Sequence, residues 1–173
     1  MDDLDARTTS YVARIEGLVA EHGWAIQTAL PRVDDPTPGP PFAYTVGLSK
    51  PQFGHPELVV IGLDRATAHT VLNNLGERVR GGQRFHAGQR IADLFQGGYE
   101  VELVSVDDAA DERAPLNIAN RLYGHGAPID ALQVVLPDPS HRFPWDPAFD
   151  VGMRAAQPLL GRPTPHRPDP QDR

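Results

Sequence analysis

The sequence predicts an α+β domain: a mainly antiparallel sheet of about five to six strands packed with three helices. Three observations predict it. Strand-like segments come in clusters and do not alternate strictly with helices, which favours α+β over a doubly wound parallel sheet. Two segments carry apolar residues at helical spacing, Val12, Ile15 and Val19 in one and Ala68, Val71, Leu72, Leu75 and Val79 in the other. Pro31, Pro36, Pro38, Pro40 and Pro41 lie between two alternating runs, a density that no helix or central strand tolerates and that suits an exposed hairpin-like connection.

The elements follow in order. A first helix is expected from about Thr9 to His22, capped by Thr8 or Thr9 and stopped by Gly23. Trp24, Ile26, Thr28 and Leu30 alternate as a strand, and Phe42, Tyr44, Val46 and Leu48 form a second. Leu58-Val59-Val60-Ile61-Gly62-Leu63 is a continuous apolar run of strand length, expected to be buried on both faces. Asp64 then caps the second helix, and Gly81-Gly82 ends it. Residues 83–98 read as irregular. Tyr99 to about Val106 is a half-exposed strand, Asp111 to Tyr123 a shorter helix with Pro115 in its first turn, and Ala131 to Leu136 a buried strand. The segment from there to Gly161 is expected to wrap the body in an extended form, with Phe143, Trp145 and Phe149 as its apolar anchors.

Composition bounds the function. The chain has 173 residues, 40% hydrophobic and 23% charged, which fits a single domain, expected over residues 8–161. Residues 1–7 read as a disordered acidic N-terminus and residues 162–173 as a disordered proline-rich tail. With no cysteine, disulfides, thiolate nucleophiles and Cys-ligated metals are excluded. A net charge of −7 argues against nucleic acid as a partner. No apolar run is long enough to cross a membrane, and the acidic start lacks the basic-then-apolar pattern of a secretory leader, so a cytoplasmic location is expected. Fifteen of the sixteen basic residues are Arg, with Lys50 the exception. GC-rich coding explains that bias, and bidentate recognition of anions is the sharper reading.

The block Tyr44-Thr45-Val46-Gly47-Leu48-Ser49, then Phe53-Gly54-His55-Pro56-Glu57-Leu58-Val59-Val60 and Gly62-Leu63, resembles the signature of the bacterial domain-of-unknown-function family 4262. Gly23-Trp24, the segment from Asn73 to Arg80, the Gly88 turn and Arg142-Phe143-Pro144-Trp145 extend that resemblance over roughly residues 8–161. It implies a small bacterial domain and carries over no catalytic residue and no cofactor.

The residues that carry chemistry gather around two loops. His55 and Glu57 suit a ligand contact, an acid–base pair or two metal ligands, against a reading in which His55 caps backbone groups ahead of the buried strand. Tyr44 and Thr45 bring hydroxyls toward the same loop, and Arg84 and Arg90 flank His86 in a glycine-spaced loop suited to a carboxylate or phosphate. Trp145 is either part of a hydrophobic clamp or an aromatic wall. The reading that unites them is a pocket for an anionic small molecule, lined by Tyr44, Thr45, His55, Glu57, Arg84, Arg90 and Trp145. Two alternatives stand beside it. One is a split-barrel enzyme, flavin-dependent with flavin mononucleotide across a homodimer, or metal-dependent; the analogy is to fold alone. The other is an interaction or immunity module that docks a partner through residues 143–149 or a sheet edge.

Overall fold

Helices cover both faces of one open mixed sheet. The computed structural model describes residues 3–30, 36, 39–107, 116–123 and 128–165. The elements are α1 (Asp3–His22), β1 (Ala25–Ala29), β2 (Phe42–Val46), β3 (Glu57–Ile61), α2 (Arg65–Arg80), β4 (Arg90–Ile91), β5 (Val101–Ser105), α3 (Asn117–Tyr123), β6 (Ala131–Val135) and α4 (Val151–Ala156). The six strands lie in the order β1-β2-β3-β6-β5-β4. Four neighbouring pairs are antiparallel, and β3 with β6 is parallel.

The α+β class holds, with one parallel pair at its centre. That pair arises because the chain leaves β3, crosses one face as α2, builds the β4–β5 hairpin and returns beside β3 as β6. Strands β3 and β6 are buried at every position, as their apolar runs require of strands covered on both faces. Among the described residues the sheet is open, with β1 and β4 as its two edges. The split-barrel analogy, and the flavin chemistry attached to it, therefore finds no support in this architecture.

Alternation along the strands sorts the core into two faces. Ala43, Leu58, Val60, Val101, Leu103, Leu132 and Val134 pack under α2, through Ala68, Val71, Leu72, Leu75 and Val79. Tyr44, Val46, Val59, Ile61 and Ala131 face the other way, under Ile15 and Val19 of α1 and Ala119 of α3. The C-terminal segment covers the rest of that second face, where Phe143 packs on Val104 and Val135. Two buried glutamine side chains fasten it. Gln133 donates to Pro158 O and accepts from Leu160 N–H, while Gln157 brackets both backbone groups of Leu136. The clamp role expected of Phe143 is thus realised, with Phe149 also buried.

Local boundaries differ from the sequence expectation in three places. Helix α1 begins at Asp3 and so takes in residues expected to form a tail. Val151–Ala156 is helical where an extended segment was expected, because the Asp150 carboxylate caps the Gly152 and Met153 N–H groups. That makes four helices among the described residues. Residues 83–98, read as irregular, contain the two-residue strand β4. Residues 111–115 of the third expected helix, and residues 166–173 of the expected tail, lie outside the described residues. Asp64 caps α2 as its sequence predicts, accepting from Thr67 N–H at 3.0 Å. Among the described residues no helix is long and apolar enough to cross a membrane.

Two glycines are set by close approach. Trp24 lies against α2 at Gly76, where a Cβ would come within 2.6 Å of the indole. Gly47 has φ +123°, and its missing Cβ leaves room for Gly23 O and a Val19 methyl. Together they let the α1–β1 corner sink onto the sheet.

Candidate functional site

Glu57, expected to face a ligand, is instead fully buried. Its carboxylate accepts five hydrogen bonds. Oε1 takes the Gly47 and Ser49 N–H groups and the Ser49 hydroxyl, at 2.8, 3.0 and 2.8 Å. Oε2 takes the Thr45 hydroxyl at 2.6 Å and the Leu48 N–H at 3.2 Å. Burial pushes its pKa up, and these hydrogen bonds oppose that shift. Backbone N–H groups only donate, so the donor set matches the charged carboxylate. Glu57 organises the turn after β2 and has no oxygen lone pair turned toward a cavity.

His55 is also spent on structure. Its Nδ1–H donates to Pro56 O at 2.7 Å, and its Nε2 accepts the Phe85 N–H at 3.0 Å. Because a backbone N–H cannot accept, Nε2 is unprotonated and the ring is neutral. Burial first, and the Arg84 charge as well, hold its pKa below the ordinary value. The two loops expected to enclose a pocket do meet, through this bond. The meeting point is filled by the Phe85 ring, edge-on to His55 at 5.6 Å.

The remaining expected residues scatter. Tyr44 and Thr45 are adjacent on one strand, so they point to opposite faces. The Tyr44 hydroxyl donates to Asn117 Oδ1 at the start of α3, and burial pushes its pKa up. Arg84 is exposed. Arg90 lies on the far edge strand, where it donates to Glu102 at 3.0 Å and stands 4.9 Å from the Phe143 ring centroid. Trp145 stacks on that same Phe143, also at 4.9 Å. The expected seven-residue pocket therefore does not form. Thr45 and Glu57 are brought together, as are Arg90 and Trp145 through Phe143, at separate places.

A cavity lies elsewhere, as an open groove of about 860 Å³ along edge strand β1. Strand β1 forms its floor. Helix α1 supplies one wall with Tyr11, Arg14, Leu18 and His22, and α2 the other with Arg65, His69, Asn73 and Arg80. Hydrogen bonds tie both walls to the floor. Tyr11 donates to Gln27 Oε1 from the α1 side, and His69 Nε2 pairs with Thr28 Oγ1 at 2.9 Å from the α2 side. Trp24 closes one end. Its indole N–H donates to Asn73 Oδ1 at 3.1 Å, and the Arg80 guanidinium sits 4.4 Å over its ring.

The groove is basic relative to its host. Three arginines line it against two glutamates, in a chain of net charge −7. Glu77 is held by Arg80 at 3.0 Å, and Glu21 lies 3.7 Å from His22. Among the described residues no carboxylate lies within 4 Å of Arg14 or Arg65. Arg65 begins α2, where a cation opposes the helix dipole. Burial and the Arg65 charge lower the pKa of His69. No three His, Asp or Glu side chains group as metal ligands among the described residues.

The apolar stripe of α2 was legible in the sequence, whereas His69, half-buried at that stripe's margin and hydrogen-bonded to Thr28, belongs to the other face. The signal for the groove was the polar face of the same helix. Arg65, His69, Asn73 and Glu77 recur every four residues, with Arg80 one turn on.

Among curated proteins no match is found, and none among solved structures. The model of one family matches residues 18–150, a span that holds β1, β2, β3, α2 and most of the two groove walls. The chain belongs to the family described as Domain of unknown function (DUF4262).

Proposed function

We propose that this protein is a binding module that takes an anionic ligand into the groove along β1. The observation that carries the reading is the pair Arg14 and Arg65. They come from facing walls, and neither has a carboxylate within 4 Å among the described residues of an acidic chain. Guanidinium forks recognise carboxylate and phosphate by paired hydrogen bonds. Asn73 and His69 add neutral polar contacts, and Trp24 and Tyr11 add aromatic edges, the mixture that fixes the orientation of a bound molecule. Nucleic acid is not the ligand in this reading, because the rest of so acidic a chain repels a phosphate backbone.

Trp24 is the natural reporter, since Trp145 is the other tryptophan and lies at the far edge of the sheet. In a Trp145→Phe background, titration with tripolyphosphate or with a short oligoglutamate is expected to change Trp24 emission, saturably and less at high salt. Replacing Arg14 and Arg65 together by Ala is expected to remove the response. A response unaltered in that double variant, or none in the parent, overturns the proposal.

A further inference from the structure

We infer that the groove takes an extended acidic peptide segment of another protein, added as a seventh strand on β1. This inference rests on the anion-binding reading and specifies the ligand. It follows from how the groove is built. Both walls track the strand: Tyr11 meets Gln27 and the chain turns at Gly23 on one side, while His69 meets Thr28 and Asn73 meets Trp24 on the other. From residue 24 to residue 28 the floor runs about 13 Å at strand rise, and from residue 11 to 22 the α1 wall runs about 16 Å at helix rise. The cavity is therefore a slot as long as the strand. Residues of α1, β1 and α2 line it and none of β2 does, so it runs along the side of β1 away from β2, the side a further strand would take.

Among the described residues the edge itself is unguarded. Among the described residues β1 pairs on one side alone, with β2. Proteins blunt exposed edges with short strands, charges or proline. The opposite edge does so: β4 is two residues long and begins with Arg90. Strand β1 is five residues, Ala-Ile-Gln-Thr-Ala, with no charge and no proline, and it leads into Leu30, which is 60% exposed. An unblunted edge supplies backbone donors and acceptors to an incoming strand, and side-chain pockets then select its sequence.

Charge and alternation name that sequence. Successive side chains of an added strand point to alternate faces, one set to the α1 wall and one to the α2 wall. Arg14 waits on the first and Arg65 on the second. Acidic side chains on either set find a cation, and the aliphatic remainder finds Leu18 and Leu30. A second copy of this chain fits less well. It presents its own edge between the same two helices, so walls meet before strands do, and it brings arginines against arginines.

The test uses the full chain and a pool of fluorescein-labelled heptapeptides with Asp or Glu at alternate positions and Val, Ile, Thr or Tyr between them. Anisotropy is expected to show saturable binding, weakened about tenfold or more by Arg14→Ala with Arg65→Ala. The best binders are then N-methylated at one alternate set of amides or at the other. An added strand uses one set, so one methylated form is expected to lose about tenfold in affinity and the other to stay within about twofold. Binding that ignores both methylations overturns strand addition. So does a pool that fails to bind while tripolyphosphate still alters Trp24 emission in an arginine-dependent way, an outcome that leaves the anion-binding reading intact. Sedimentation velocity showing a dimer whose formation excludes the peptides overturns the choice of occupant in favour of a second copy.

Discussion

The Thr45 hydroxyl donates to Glu57 Oε2 at 2.6 Å while accepting the Leu58 N–H at 2.8 Å, so one side chain locks a buried carboxylate and the start of β3 together. The pair explains why Thr, and no apolar β-branched residue, stands at that buried strand position. It also sets the first prediction. Glu57→Gln keeps the shape but sets an NH₂ against at least one backbone N–H, which cannot accept, stranding buried donors. A loss of about 2–4 kcal/mol is expected, read as a lower urea midpoint at unchanged m-value. Thr45→Val removes one donor from the carboxylate, which three backbone N–H groups still hold, but also strands the buried Leu58 N–H, so a loss of similar size, about 2–3 kcal/mol, is expected.

Gly76→Ala discriminates between helix propensity and packing. Ala is the better helix former by about 1 kcal/mol, so propensity alone expects stabilisation. The new methyl would fall 2.6 Å from the Trp24 ring, and displacing a buried indole costs about 1–3 kcal/mol. The variant is expected to be destabilised, with a shifted Trp24 emission. Thermal unfolding followed by fluorescence checks both.

His55 gives a pH dependence of defined sign. Its folded-state pKa is lowered, so below the ordinary histidine value the unfolded chain binds more protons than the folded one. Stability is therefore present at pH 7 and above and falls as the pH drops through about 6.5. His69 contributes in the same sense and less, since it is only partly buried. Urea midpoints from pH 8 to pH 5 are expected to fall in the parent and to fall less steeply in His55→Gln. Equal slopes in the two proteins contradict the neutral Nε2 acceptor.

Arg90→Ala and Trp145→Phe test the separation of the two ends of the sheet. Arg90 pairs with Glu102 and lies against Phe143, five strands away from β1. Both variants are expected to leave anion binding unchanged; Trp145→Phe is expected to cost at most about 1 kcal/mol of stability, and Arg90→Ala about 1–3 kcal/mol, because it takes the cation from the buried Glu102 carboxylate. Loss of binding in either one moves the site to the edge where sequence reasoning first placed part of it.

What the sequence made legible is what short-range periodicity encodes. The α2 stripe, the Asp64 cap, the alternation of β2 and the apolar runs of β3 and β6 all appear where local rules put them. The sheet order is not local. That β6 inserts between β3 and β5 decides which strands are edges, and no window of sequence contains both β3 and β6. The groove depends on β1 being an edge, so it was hidden by the same gap. The expected pocket failed for a different reason. His55 and Glu57 were read as polar groups seeking a ligand, whereas backbone N–H groups of residues 47–49 and 85 already satisfy them. A turn that curls back on a carboxylate is set by the path of the chain and has no residue-type signature. Tyr44 beside Thr45 was the avoidable error, since alternation alone separates them.

The most direct measurement of the central claim is an amide-resolved NMR titration of the full chain with tripolyphosphate and with an alternating acidic peptide. Shifts are expected only in β1 and the facing sides of α1 and α2, centred on Ala25–Ala29, with Arg14 and Arg65 required. Shifts centred on Arg84, Arg90 or Trp145, or a spectrum that does not move, contradict that claim.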